Sequence, residues 1–125
     1  CMRPTTNRID DWQTRARQNL RAAMLLVARH PPLVYPAISR LYYAAFQATL
    51  AALFRAGTTV PEHHGDVWSA AETVRPGLAS LLRDLYKWRM RADYATGPIQ
   101  LDKARDLVSC YTTVCASLGI LPEES

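Results

Sequence analysis

The sequence predicts an all-α protein, an antiparallel bundle of four main helices plus one short helix. Three observations lead there. Apolar residues recur at steps of three and four along most of the chain. Proline and glycine punctuate that pattern where helices would end. Alternating strand patterns, paired-strand turns and internal repeats are absent. At 125 residues, the expectation is one helical domain spanning 1–125, with a core over about 8–118 and a short acidic tail over 120–125.

Each element has its own signal. Ile9, Trp12, Ala16, Leu20, Ala23, Met24 and Val27 trace a long amphipathic helix that begins after Thr6-Asn7 and stops at His30-Pro31-Pro32. Arg15, Arg17, Arg21 and Arg29 fall mostly off that stripe and read as its solvated face. A second helix starts near Pro36, a residue suited to a first turn, and runs through Leu41, Phe46 and Leu53 to a capping Gly57. It is apolar around much of its circumference and rich in alanine, so it should be central and have apolar face left over for an oligomer seam. Thr58 to Pro61 is a loop, and Glu62 to Val74 a shorter helix carrying Val67, Trp68 and Ala71. After Pro76, Leu78, Leu81, Leu82, Leu85 and Trp88 form a further stripe, broken by Gly97-Pro98. A last helix follows Gln100, with Asp102 as its expected N-cap, and ends at Gly119.

Composition narrows the class. With 49% apolar and 21% charged residues the chain is an ordinary globular protein and not a disordered one. The longest apolar run, Leu41 to Phe54, is interrupted by Gln47 and Thr49, so no membrane partner is expected. No export signal is legible, and the expected location is the cytoplasm. Cys1 precedes a methionine that reads as a natural start; Cys110 and Cys115, five apart on different helix faces, are expected to be reduced thiols. Residues 1–60 carry eight arginines against Asp10 and Asp11, whereas residues 61–125 are net acidic. Arginine is the better cation for planar recognition of phosphate, so the bias gives weak support to an anionic partner.

The segment Trp88-Arg89-Met90-Arg91-Ala92-Asp93-Tyr94 concentrates two arginines, a carboxylate and a phenol in seven residues. Arg89 and Asp93 share a helix face, and Arg91 and Tyr94 lie on neighbouring rows, so the segment can present a bidentate cation beside a proton donor; an ordinary surface ion pair is the blander reading. His63-His64 is the single histidine cluster. Adjacent histidines point to different sides, so a metal site there would need Glu62, Asp66 or a second subunit, and the better expectation is that one imidazole caps or packs at the start of the short helix. No metal and no cofactor are expected, and glycine phosphate loops and framed nucleophilic serines are missing.

Three blocks taken together go further: Ser39-Arg40-Leu41-Tyr42-Tyr43-Ala44-Ala45-Phe46, then His63-His64-Gly65, then Arg89-Met90-Arg91-Ala92-Asp93-Tyr94. In this order and spacing they resemble the HEPN domain (higher eukaryotes and prokaryotes nucleotide-binding), in a branch with paired aromatics on the second helix and a later Arg-x-x-Ala-Asp-Tyr segment. The resemblance implies a dimerising helical bundle, often encoded beside a small nucleotidyltransferase as a toxin–antitoxin pair or within a phage-defence system. Many such proteins are metal-independent ribonucleases with an Arg-x(4–6)-His motif. This chain departs from it. The position after four intervening residues is Tyr94 counting from Arg89 and Thr96 counting from Arg91, and no histidine follows either arginine.

Cleavage through the RNA 2′-hydroxyl needs a group that both accepts and donates protons near neutral pH, which histidine does directly. Asp93 and Tyr94 each serve one direction. The first expectation is therefore an accessory or regulatory subunit that binds RNA, a nucleotide or a partner protein through Arg89, Arg91, Arg40, His63 and His64 without cutting. The alternative is a metal-independent ribonuclease toxin with a modified site, Arg89 stabilising the phosphorane while Asp93, Tyr94 or an upstream histidine moves protons. A third reading is an unrelated helical adaptor. A homodimer is expected, with a small nucleotidyltransferase or defence-system protein as a further partner. Tyr94 is also a candidate for adenylylation by such a nucleotidyltransferase, as the resemblance implies for tyrosines near this position.

Overall fold

A computed structural model describes residues 6–123, and among them every regular element is a helix: α1 Thr6–Ala28, α2 Val34–Arg55, α3 His64–Ala71, α4 Leu78–Tyr94 and α5 Leu101–Ser117. Cys1 lies outside the described residues. The expected count of four main helices and one short one is met, and no described helix is long and apolar enough to cross a membrane.

Helix α2 touches all four others and pairs most extensively with α1. Fourteen of its residues are buried, which is why a sequence apolar on every side suits this position. Its alanines let neighbours approach closely: Ala37, Ala44, Ala45 and Ala48 are fully buried within the chain. The apolar face expected to remain for an oligomer seam is thus covered by the chain's own helices. Asn19 joins α1 to Gln47 of α2; contacts of Ser39 with Asp93 and Tyr42 with Tyr86 make α4 run antiparallel to α2, and those of Leu81 with Tyr111 and Trp88 with Lys103 make α5 antiparallel to α4.

Helix ends follow local chemistry. Gly57 and Gly119 both adopt positive φ, and each closes a paired C-terminal cap: Thr58 N donates to Leu53 O and Gly57 N to Phe54 O, while Ile120 N donates to Cys115 O and Gly119 N to Ala116 O. Pro36 sits in the first turn of α2, which starts two residues earlier than expected. The N-cap position of α5 is Gln100, and Asp102 lies within the first turn, where the helix dipole favours a carboxylate and Arg105 lies 3.9 Å away. The short helix is also trimmed from Glu62–Val74 to His64–Ala71. Beyond Ala71 the backbone tightens into a turn, with Glu72 N, Thr73 N and Val74 N each donating to the carbonyl three residues back, and the Glu72 carboxylate accepts from Gly77 N and Ala79 N, capping the next helix. Both described cysteines are free; Cys110 is exposed, and burial pushes the Cys115 thiol up to about 12, which leaves it unreactive.

Candidate functional site

The antiparallel pairing of α2 with α4 sets Ser39, Tyr42 and Tyr43 against Tyr86, Arg89 and Asp93, and α3 lays His64 and Trp68 across the same junction. Two of the three sequence blocks supply the α2 and α4 residues other than Tyr86, and the third supplies His64. The Arg89 guanidinium stands 5.6 Å from the Tyr42 ring, 4.9 Å from Tyr43 and 5.7 Å from Tyr86. Its Nε lies 3.3 Å from Asp93 Oδ2, and Ser39 Oγ reaches the same carboxylate oxygen at 3.5 Å. The Arg89 side chain is 15% exposed and that of Asp93 26%, so the arginine end of the pair is enclosed while Asp93 sits at the solvent edge, which sets it apart from the surface ion pair of the blander expectation. Arg89 Nε makes no well-aligned hydrogen bond, so charge and the faces of three aromatic rings hold the cation in place.

Behind Arg89 lies a polar relay. Trp68 Nε1 donates to Tyr42 Oη at 3.1 Å, and Tyr42 Oη lies 2.8 Å from His64 Nδ1. Indole is a donor only, so the tyrosine oxygen accepts there and its own proton is available to His64 Nδ1. With that proton donated, the imidazole is the tautomer that carries its own proton on Nε2. The imidazole stacks on Phe46 with centroids 4.2 Å apart. Burial, and then the nearby Arg89 charge, hold its pKa below the ordinary histidine range, and burial raises that of Tyr42. Both groups are therefore neutral at pH 7. His64 is the histidine that packs at the start of the short helix; His63 occupies the α3 N-cap position without a side-chain capping bond and is exposed.

The other residues singled out from the sequence disperse. Arg91 points away from Arg89, its guanidinium 5.2 Å from the Trp88 ring and donating to Pro98 O at 3.2 Å. The expected Arg89/Arg91 cluster is separated, because residues two apart on a helix stand about 200° apart around its axis. Arg40 is exposed, donates to Asn19 Oδ1 at 3.3 Å and lies 5.5 Å from the Tyr43 ring, so Tyr43 carries two guanidinium groups. Tyr94 is 71% exposed and sits outside the ring of tyrosines. Tyr86 and Trp68 were missed from the sequence. The available signal was spacing, Tyr86 three before Arg89 and Trp68 four after His64.

Among the described residues no three histidine, cysteine or carboxylate side chains converge as metal ligands. The family model for the HEPN domain matches residues 9–121, nearly the whole chain. The chain belongs to the HEPN domain family. No curated protein and no solved structure gives a match. HEPN membership points to a nucleotide- or RNA-related function, often in toxin or defence systems. In this HEPN domain the arginine of the Arg-x-x-Ala-Asp-Tyr segment is enclosed by tyrosines, and the nearest imidazole comes from α3.

Proposed function

We propose that this HEPN domain is an accessory or regulatory subunit of a prokaryotic toxin–antitoxin or phage-defence system, binding RNA or nucleotide through the surface around Arg89, Tyr43 and Arg40 without cleaving it. One observation carries the reading: the imidazole beside Arg89 is engaged at Nδ1 by Tyr42 and kept neutral by burial and by Arg89 itself. Proton transfer during RNA cleavage needs an imidazole that cycles between its two charge states, and His64 is held in one of them. Cation recognition needs no such cycle. Two guanidinium groups over one tyrosine ring offer charge for phosphate beside aromatic surface.

The test is fluorescence anisotropy with labelled single-stranded RNA, run beside a cleavage assay in metal-free buffer. Arg40→Ala and Arg89→Lys are the informative variants, since lysine keeps the charge but loses the planar fork. The expected result is salt-dependent binding that weakens in both variants and no cleavage by the wild type. Cleavage that disappears in Arg89→Lys and in His64→Gln would move the assignment to the ribonuclease alternative. The proposal includes a homodimer, which light scattering would register as about twice the 14.0 kDa chain mass. It also includes Tyr94 as a target for adenylylation by a partner nucleotidyltransferase. Its 71% exposure supports access to the hydroxyl, and intact-mass spectrometry after co-expression, repeated with Tyr94→Phe, checks it.

A further inference from the structure

A cavity of about 260 Å³ borders the relay at His64. Its walls are Trp12 of α1, Phe46 of α2, Pro61 and Glu62 of the connection between α2 and α3, and His64 and Val67 of α3. We infer that this cavity is a base-accepting subsite, in which one nucleobase stacks against Trp12 and meets the edge of His64, accepting a hydrogen bond from Nε2. The ligand class rests on the nucleic-acid reading above; the location does not.

Three observations favour this occupant. First, small-molecule sites run from about 300 to 1,000 Å³, so a cavity of this size suits a single planar ring system and is too small for a helix or a drug-sized molecule. Second, the lining is aromatic and aliphatic, with Glu62, His64 and the Trp12 indole N–H as its side-chain hydrogen-bonding groups, and an aromatic face stacks on any base. Third, the direction of His64 matters. Its Nδ1 is turned to Tyr42, which does not line the cavity, so the opposite edge bearing Nε2–H is the part available to the cavity wall. Each base carries at least one ring or carbonyl acceptor for such a donor. An inserted aliphatic side chain would leave that donor without a partner. Burial also lowers the pKa of His64, so its edge sets no buried cation against the base. Tyr42 joins the two regions, with its hydroxyl on His64 and its ring beneath Arg89, so a nucleotide whose base enters the cavity has a phosphate-binding cation on the neighbouring surface.

Saturation-transfer NMR with the four ribonucleosides tests the subsite without any phosphate contribution, and anisotropy with single-stranded RNA reports the wider reading in parallel. The expected result is saturation transfer to at least one nucleoside base. It should be lost in Trp12→Leu, which removes a stacking wall, and in Val67→Phe, which fills the cavity, with RNA affinity falling about tenfold in each. If Val67→Phe does not fold, the wild-type spectra and Trp12→Leu carry the test. RNA binding with no nucleoside signal and full affinity in Trp12→Leu would overturn the subsite and leave the RNA-binding reading intact. Nucleoside signals unchanged in both variants would also overturn it, by placing the base elsewhere. No binding of RNA or nucleoside would remove both.

Discussion

The two flanks of helix α4 carry similar chemistry, an arginine over aromatic rings, and differ in what surrounds it. On the flank facing α2 and α3, Arg89 is enclosed by Tyr42, Tyr43 and Tyr86 and paired with Asp93. On the flank facing α5, Arg91 and Lys103 both lie over Trp88, at 5.2 and 4.7 Å, and Arg91 ties down the chain at Pro98. A cation–π contact is worth about 0.5–1 kcal/mol in water and 2 or more when desolvated, so enclosure separates the two arginines more than ring count does. Arg89 is at once part of the packed interior and the cation nearest the proposed ligand surface. Arg91 is a clasp on the outside.

The largest expected effect follows from removing the enclosed cation. Arg89→Ala leaves a gap among three rings and Asp93 without its partner, which costs about 2–4 kcal/mol. Calorimetry should show Tm lower by roughly 10 °C or more. On the premise of an ordinary surface pair, the blander reading of the sequence, the change would be only a few degrees. A drop that small would restore that premise and erase the contrast between the flanks.

Next is Tyr42→Phe, which keeps the ring beneath Arg89 and deletes the hydroxyl. Trp68 Nε1 and His64 Nδ1 then lose their partner, for about 1–3 kcal/mol. Chemical denaturation should show a lower midpoint with an unchanged slope. An unaltered midpoint would mean that the relay contributes nothing to the enclosed flank.

A smaller effect sharpens the same flank through pH. The folded pKa of His64 lies below its unfolded value, near 6.5, so between the two values the unfolded chain binds more protons. Its contribution to stability is therefore constant above about pH 6.5 and declines as pH falls below it, until the folded value is passed. Thermal melts from pH 7.5 to 5 should show this decline in the wild type and a shallower one in His64→Gln. Equal slopes would remove His64 as a contributor.

The smallest effect belongs to the outer flank. Arg91→Ala should cost about 0.5–1 kcal/mol and shift Tm by no more than roughly 5 °C, with RNA binding retained. A loss as large as that of Arg89→Ala would make the two sides of α4 equivalent.

Sequence periodicity was enough to locate all five helices, because each buries a stripe against α2 and carries its own punctuation: Gly57 and Gly119 close helices through conformations that glycine adopts freely. It was less reliable where one side chain serves a neighbouring element. Glu72 read as a residue of the short helix, yet it caps α4; Asp102 read as a cap, yet the backbone of Gln100 takes that position. The three family blocks were also legible, and they marked Arg89, Tyr42, Tyr43 and His64 as belonging together.

What the linear order determined by itself is the all-α class, the helix spacing and membership of the HEPN family, since these depend on local repeats and on residue types at fixed separations. The tertiary structure alone decided which neighbours in sequence become neighbours in space. Two residues of separation turn Arg91 away from Arg89, whereas the antiparallel packing of α4 and α3 on α2 brings Tyr86, Trp68 and His64 around one tyrosine hydroxyl and one guanidinium. Burial within that packing then encloses the arginine of an exposed-looking ion pair and favours a neutral imidazole, and burial depends on contacts between segments that no local pattern encodes.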